Sequence, residues 1–522
     1  MKRSAILFAP ALLLAACQEE GINPENPWTD DVQETISHEM IELGEQLEDP
    51  YSIVNMTEAL QTLYPTKAGR RVLSPTDLYV RFLPLNQGQY DHLEDLGVAM
   101  LDHPMDYKIV KEGDYYQDPE IPDGDITWQY AVVPKDFDFP YSITHELLDS
   151  VYIAEHDTQT KADGVDWAEV EREAFRLTGN EDMLVPATKG GSDTPSGRIT
   201  ITDDAFPDKV IGVKGVMVSC NVFVKFANAY TDEDGYYEMS RSFSSEPRYR
   251  LVFKNRKGFG IGFNLLLIPA SISTLGKHSA EGVSVHVDSD SERKLFSRCV
   301  VNNAGYDYWE SCSQDGVSIK TPPSNLRIWL FQHMDSSSAV MLQQGALIDN
   351  SLIGDFLGEY ASLVKTFLPD ITLGLDEKNT YASIYSVAQH EMAHASHFMQ
   401  VGTSYWDAYI KFIITSFVTS GFVAYGVGTE EDHGYCEVGE MWAYYVESML
   451  YRERYGIERT FGSSWWFSPE IFVNLDNRGI NRFKIFQALT SDIHDRDMLQ
   501  DKLVALYPEC KSVINQAFGR YI

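Results

Sequence analysis

Basic residues are scarce in this sequence, which carries 42 Lys and Arg residues against 77 Asp and Glu residues over 522 positions. The formal net charge at pH 7 is therefore −35. Proteins that bind nucleic acids depend on Lys and Arg side chains to neutralise the backbone phosphates. Since no basic patch departs from the acidic average, we expect no nucleic-acid partner for this chain.

Cysteine is also infrequent, with six residues in the chain. No two cysteines are separated by only two residues, which argues against a zinc site built from CxxC pairs. Five cysteines follow Cys17, and this odd number leaves at least one thiol unpaired. Cys299 and Cys312 are the closest pair in the sequence, and we predict a disulfide bond between them.

Apolar runs of about 20 residues, the length needed to cross a bilayer as a helix, are missing. The N-terminal run, residues 5–16, is too short for a stable transmembrane helix. A second region, residues 409–427, is interrupted by Lys411 and by several Ser and Thr residues. A helix buried inside the protein is the better interpretation of this region.

The beginning of the chain has the pattern of a targeting segment. Lys2 and Arg3 precede the first apolar run, which ends in the sequence Leu-Ala-Ala-Cys at Cys17. This ending resembles the lipobox of bacterial lipoproteins. The resemblance implies that residues 1–16 form a signal peptide and that Cys17 becomes the lipidated first residue, whose acyl chains anchor the protein to a membrane.

Residues 17–31 follow as a polar segment that we interpret as a flexible tether. The acidic sequence Gln-Glu-Glu directly after Cys17 is similar to the surface-export signal of Bacteroidetes lipoproteins. This similarity implies an outer-membrane lipoprotein that faces the cell surface, with the periplasmic face of the membrane as the alternative.

The length of the chain exceeds that of one ordinary hydrophobic core, so we expect a multidomain α+β protein. Residues 32–190 mix helical and strand patterns, which predicts an N-terminal α+β domain. Within this region, the apolar spacing over residues 31–47 predicts a helix. A stretch rich in Gly, Ser, Thr and Pro, residues 185–198, is interpreted as a linker.

Short strand patterns separated by turn signals fill residues 191–275, which is typical of a small β-sandwich. In this region the sequence GVKGVMV, followed by AYTDEDGYYEM and YRLVFKN, resembles the transthyretin-like module of carboxypeptidases and many bacterial surface proteins. The remaining part, residues 276–522, combines a few strand patterns with many helical ones. We predict a mainly helical domain with a small sheet there.

The motif His-Glu-Met-Ala-His, residues 390–394, carries the chemistry of this last region. It lies within a helical pattern, and positions i and i+4 of a helix project from the same face. His390 and His394 can therefore bind one Zn²⁺ ion together. Glu391 can reach the open side of the metal and act as the general base that activates water.

A catalytic zinc site needs a third protein ligand and an open fourth position. His397 lies on the same helical face, but three ligands along one straight helix would spread over roughly 10 Å. A Glu from a second helix is favoured, because residues 439–443, Gly-Glu-Met-Trp-Ala, resemble the N-E-x-x-A segment of gluzincin peptidases. The resemblance implies that Glu440 is the third ligand, with Glu437 as the alternative. Gly439 stands where that segment has Asn.

Hydrolysis also needs a hydrogen-bond donor close to the developing oxyanion. Gluzincins use a Tyr or a His for this purpose, which implies Tyr444, one turn beyond Glu440 on the same helical face. Tyr445 and His433 are alternatives, and each of the three can also be an ordinary core or loop residue. Glu447 can orient a histidine ligand, or it can be a solvated helix residue.

These motifs favour a zinc-dependent peptidase that hydrolyses peptide bonds of extracellular proteins or peptides. The combination resembles Bacteroidetes surface lipoproteins with a gluzincin-like, and hence zincin-like, catalytic domain. One alternative is a catalytically silent metal-binding adhesin or binding lipoprotein, and another is an accessory lipoprotein whose zinc is structural. The presence of Glu391 favours the enzyme, because metal binding requires only the ligands.

Replacing the cysteine of the lipobox tests the predicted membrane anchor. We expect Cys17→Ser to lose its acyl chains and to leave the membrane fraction, because those chains supply the anchoring. Incorporation of a labelled fatty acid and membrane fractionation measure the two effects, with Cys510→Ser as the matched control. Continued labelling of the Cys17→Ser protein would contradict the prediction.

Overall fold

A computed structural model provides the structure of the protein. It describes residues 17–18, 40–65, 71–122, 125–158, 160, 164–185, 194–262, 272–314, 316–332, 336–346, 369–376, 379–419, 425–458 and 466–520. Within this part of the chain the fold is mixed α+β, with several small sheets and a helical C-terminal region.

The described residues contain eleven α-helices, numbered here in chain order. They are α1 (Ile53–Leu63), α2 (Gln87–Asp95), α3 (Trp167–Leu177), α4 (Arg293–Ser311), α5 (Tyr381–Val401), α6 (Thr403–Thr419), α7 (His433–Tyr455), α8 (Glu470–Asp476), α9 (Arg482–Ala488), α10 (Arg496–Leu506) and α11 (Lys511–Phe518). Short 3-10 helices lie at Ala154–His156, Glu181–Met183 and Pro508–Cys510.

The strands of the described residues fall into two groups along the chain. The first is β1 (Cys17–Gln18), β2 (Glu42–Gln46), β3 (Asp77–Leu83), β4 (Met100–Leu101), β5 (Tyr107–Lys111), β6 (Gln129–Pro134), β7 (Thr144–Val151), β8 (Ser196–Thr202), β9 (Val210–Gly212), β10 (Met217–Val222) and β11 (Lys225–Tyr230). The second is β12 (Tyr236–Glu238), β13 (Arg248–Val252), β14 (Gly260–Gly262), β15 (Ile272–Lys277), β16 (Val285–Val287), β17 (Ser313–Gln314), β18 (Val317–Ser318), β19 (Arg327–Gln332), β20 (Ser336–Ala339) and β21 (Ile371–Leu375).

The N-terminal region is built on an antiparallel sheet with the strand order β4-β6-β3-β7. Val80 and Phe82 of β3 are fully buried and pack with Leu93 of α2 in one apolar cluster. The strand patterns predicted around β3 and β6 and the helix predicted around α2 are confirmed.

The helix predicted over residues 31–47 is wrong where the structure describes it, since β2 occupies Glu42–Gln46. Residues 31–39 lie outside the described part. β2 pairs antiparallel with β5, and Leu43 lies opposite Ile109. Gly44 explains part of the difference, because glycine is a poor helix former. A Cβ atom at this position would also approach Cγ1 of Val110 to 2.7 Å.

Strands predicted between residues 191 and 275 are present in two four-stranded sheets. One sheet has the order β11-β10-β13-β15, and the other contains β12, β8 and β16 with β9 paired to β8. β16 lies beyond residue 275 and pairs in parallel with β8. β14 lies before residue 275 but pairs in parallel with β19. The chain on either side of residue 275 is therefore joined by strand pairing.

The C-terminal region combines a five-stranded sheet, in the order β1-β20-β21-β19-β14, with helices α4 to α11. The strands predicted at β19 and β21 are confirmed. The buried helix predicted over residues 409–427 corresponds to α6 as far as Thr419, and residues 420–424 lie outside the described part. Among the described helices, none combines the length and the apolar character needed to cross a membrane.

The predicted disulfide between Cys299 and Cys312 is wrong, because both thiols are free. Cys299 lies within α4, and Cys312 is the residue that ends the same helix. At 1.5 Å per residue, the helix separates the two by roughly 20 Å along its axis, whereas bonded cysteines have Cα atoms within about 7 Å. Proximity in sequence was misleading because the intervening residues are helical.

Candidate metal centre

Helix α5 carries the two histidines of the HExxH motif. Thr380 begins the helix by accepting a hydrogen bond from the backbone N–H of Ser383 at 3.2 Å. Gly402 ends the helix with a φ of 82°, a conformation that residues with a Cβ atom rarely adopt. Between these ends His390 and His394 project from one face, and the Nε2 atoms of their rings lie 3.2 Å apart.

Helix α4 holds α5 from behind through buried polar contacts. The amide of Gln389 donates to the backbone oxygen of Ala304 at 2.8 Å. The hydroxyl of Tyr308 lies 2.9 Å from Oγ of Ser396. Because these contacts lie before and after the motif, they fix the position of α5 along and around its axis.

Helix α7 brings Glu440 to the two histidines. Its Oε2 atom lies 3.6 Å from Nε2 of His390, and its Oε1 atom lies 3.5 Å from Nε2 of His394. In a tetrahedral zinc site with bonds of about 2.0–2.1 Å, neighbouring ligand atoms lie about 3.3 Å apart. The three predicted ligand residues therefore already have the spacing of one metal site. Among the described residues they form the one such group of three or more His, Cys, Asp and Glu side chains.

The protonation of this group also suits metal binding. Burial by itself would raise the pKa of the Glu440 carboxyl, but its contacts with His394 and His390 outweigh burial and lower this pKa to about 2. Burial lowers the pKa of His394 despite the opposing effect of Glu440. Glu440 is thus a carboxylate and His394 a neutral imidazole at pH 7, which are the forms that bind metal ions.

Glu391 lies beside this group and is almost completely buried, with 1% of its surface exposed. Its Oε2 atom has no hydrogen-bond partner among the described residues. Burial raises the pKa of its carboxyl to about 8, with a smaller contribution from the charge of Glu440 and an opposing one from His390. A buried polar atom without a partner costs free energy, so its presence points to a functional role.

Glu447 is the carboxylate that contacts the far side of a histidine ring. Its Oε2 atom lies 3.3 Å from Nδ1 of His390, and its Oε1 atom accepts a 2.6 Å hydrogen bond from the hydroxyl of Ser386. A carboxylate in this position fixes the ring orientation and leaves Nε2 free for a metal. Glu447 is buried, so the reading of it as a solvated helix residue is wrong.

Tyr444 is the closest of the three residues considered as oxyanion donors. Its ring centroid lies 4.3 Å from that of His390, and its hydroxyl lies 3.4 Å from the hydroxyl of Tyr425. Tyr445 is fully buried and packs with its ring centroid 5.7 Å from Phe472.

The third of these residues, His433, is the first residue of α7, and its Nδ1 lies 2.7 Å from the backbone oxygen of Glu430. It precedes Glu440 by two helical turns, or about 10 Å along the axis. Tyr444 therefore remains the predicted donor.

The two other ligands considered from the sequence lie outside the group. Glu437 forms an ion pair with Arg496 at 2.5 Å and accepts a hydrogen bond from the backbone N–H of the same residue at 3.2 Å. His397 is buried, and its ring packs between Tyr405 and Trp406. Burial, with a smaller effect of His394, lowers the pKa of His397 to about 3 and keeps its ring neutral.

Contacts that sequence reasoning missed also reach the site. Tyr409 of α6 donates a 2.5 Å hydrogen bond to Oε1 of Glu440, and Ser386 and Tyr425 contact Glu447 and Tyr444. Ser386 lies one turn before His390, so its helical spacing was a usable signal. Tyr409 and Tyr425 belong to the region between the two ligand helices and carry no motif.

No family model matches this chain, and no curated protein is similar to it at a significant level. The assignment of the site therefore depends on the geometry of its side chains.

Substitution of the two glutamates of α7 distinguishes the candidate third ligands. We expect Glu440→Gln to weaken Zn²⁺ binding by more than about 100-fold, since even the loss of an outer-shell partner weakens it by 10–100-fold. Glu437→Gln should leave the zinc affinity unchanged, because Glu437 pairs with Arg496. Competition with a fluorescent chelator measures both affinities. Equal losses in the two variants would contradict the assignment.

Proposed function

We propose that this protein is a zinc-dependent peptidase that hydrolyses peptide bonds of extracellular proteins or peptides. The observation that carries the proposal is the buried group of His390, His394 and Glu440 with the unpartnered carboxylate of Glu391 beside it. Metal binding alone explains the first three residues. The additional buried carboxylate is what a hydrolase requires.

Zinc is the metal that fits this set of donors best. Two imidazoles and one carboxylate are the protein ligands of many hydrolytic zinc sites, which keep a fourth position open for water. Structural zinc sites are instead closed by four protein ligands. In the described part of the chain, no fourth His, Cys, Asp or Glu joins the three residues of the group. This arrangement favours a catalytic site over a structural one.

The residues divide the chemistry of hydrolysis among themselves. His390, His394 and Glu440 would hold the zinc, which when bound lowers the pKa of water to about 7 and polarises the substrate carbonyl. Glu391 takes a proton from the attacking water on a carboxylate oxygen and later delivers it to the nitrogen of the leaving amine. A pKa of about 8 suits this exchange near neutral pH, because the group both accepts and releases a proton there.

Tyr444 would supply the hydrogen bond that stabilises negative charge on the carbonyl oxygen of the substrate. Its ring packs against His390, and its hydroxyl faces that of Tyr425. A phenol hydroxyl held at the edge of the metal group can donate to an oxygen that approaches from the open side.

The remaining parts of the proposal concern location and organisation. The lipobox supports anchoring through lipid on Cys17 at the outer membrane, with the protein facing the cell surface. Three domains would follow the tether, namely an α+β domain over residues 32–190, a transthyretin-like sandwich over 191–275 and a zincin-like domain over 276–522. The sheets of the N-terminal and middle regions and the helical C-terminal region are compatible with this division.

Removal of the proposed general base tests the reaction. We expect Glu391→Gln to abolish cleavage of a mixed peptide library while zinc content stays equal to that of the wild type, because Gln cannot accept the proton. Glu458→Gln makes the same chemical change at a carboxylate that is 74% exposed, and it should retain full activity.

Mass spectrometry of the cleaved peptides, with and without a chelator, provides the readout. Wild-type cleavage that persists in Glu391→Gln would contradict the role of Glu391. A wild type that binds zinc and cleaves nothing would favour the silent metal-binding lipoprotein.

A further inference from the structure

Tyr409 contacts the candidate metal centre from a helix that carries no recognisable motif. Its hydroxyl lies 2.5 Å from Oε1 of Glu440, and both side chains are buried, with 3% and 0% of their surfaces exposed. A phenol facing a carboxylate donates the hydrogen bond, and a charged acceptor makes such a bond strong. The ring of Tyr409 also packs 5.8 Å from the ring of His394, so the same residue supports two of the three candidate ligands.

The two oxygens of Glu440 have different surroundings as a result. Oε1 accepts the hydrogen bond of Tyr409, whereas Oε2 is buried without a hydrogen-bond partner among the described residues. Oε2 lies 3.6 Å from Nε2 of His390. The lone pairs of Oε2 are therefore the ones available to a cation.

Gly439 makes room for the ring that supplies this hydrogen bond. A Cβ atom built on Gly439 would lie 3.4 Å from Cε2 of Tyr409 and 3.7 Å from Cζ. A methyl group at these distances is in ordinary contact with the ring. A longer side chain such as Asn, which occupies this place in the gluzincin segment, would extend into the ring. The glycine and the tyrosine thus belong together sterically.

We propose that Tyr409 is a positioning residue that holds Oε1 of Glu440, so that this carboxylate binds the metal through Oε2 alone. This inference rests on the proposed function, because it concerns the metal of that site. A carboxylate that used both oxygens would occupy an additional position on the ion. Binding through one oxygen keeps a position open for water or substrate, as a catalytic zinc site requires. Gly439 is part of the same device, since it admits the Tyr409 ring.

The test is Zn²⁺ binding by the full chain carrying Tyr409→Phe, which removes the hydroxyl and little else. We expect the affinity to fall by about 10–100-fold, the usual effect of losing an outer-shell partner. The visible spectrum of the Co²⁺-substituted protein should also change, because the coordination of Glu440 changes. Tyr405→Phe is the matched control, since Tyr405 lies one turn earlier on α6 and its buried hydroxyl has no partner among the described residues.

A weaker affinity and altered spectrum in Tyr409→Phe, with Tyr405→Phe equal to the wild type, would support the inference. Wild-type affinity and spectrum in Tyr409→Phe would overturn it. If circular dichroism shows that Tyr409→Phe is unfolded, Gly439→Asn decides, because displacement of the Tyr409 ring should produce the same loss of affinity while Gly439→Ala does not. Unchanged binding in a folded Gly439→Asn would again overturn the inference.

Failure of this inference can be distinguished from failure of the proposed function. A wild type that binds no Zn²⁺ contradicts the proposed metal site and overturns the role of Tyr409 with it. A wild type that binds Zn²⁺ and cleaves peptides, together with an unaffected Tyr409→Phe variant, overturns the role of Tyr409 alone.

Discussion

Glu440 buries its carboxylate completely between helices, and a charge removed from water in this way must be compensated by nearby partners. Loss of hydration destabilises such a group by several kcal/mol, by an order-of-magnitude argument. Here the compensation comes from His394 and His390 on α5 and from Tyr409 on α6. The packing of three helices therefore depends on one ionised side chain, and the charge that stabilises the junction is the charge that suits a cation.

The positions of the ligands depend in turn on contacts outside these helices. Asp307 of α4 accepts a hydrogen bond from Tyr385 on α5 at 2.9 Å and pairs with Lys214 at 2.6 Å. At the other end of the site, Asp203 pairs with Arg454 of α7 at 2.8 Å. Because Asp203 and Lys214 precede residue 275, the β-rich region before that residue supports both ligand helices. We therefore expect the C-terminal region to need its preceding sheets in order to hold the site.

The sequence predicted those parts of the protein that local pattern determines. The HExxH helix is one example, since its ligands lie one turn apart and its ends are marked by Thr380 and Gly402. Strands β3, β19 and β21 were predicted by runs of apolar residues. Glu440 required a resemblance to a family segment, because nothing in the spacing between two separate helices fixes which carboxylate reaches the histidines.

The failures share a physical cause, which is that the deciding contact lies far away in the sequence. β2 was predicted as a helix because its pairing with β5 cannot be read from local spacing. Tyr409 escaped notice because its contact with Glu440 spans 31 residues and two helices. The direct test of the central claim is X-ray absorption at the zinc edge of the purified wild-type protein. We predict one zinc per chain, bound by two imidazoles and by oxygen at about 2.0–2.2 Å. Sulfur ligands at about 2.3 Å, or a protein free of zinc after purification in its presence, would contradict the account.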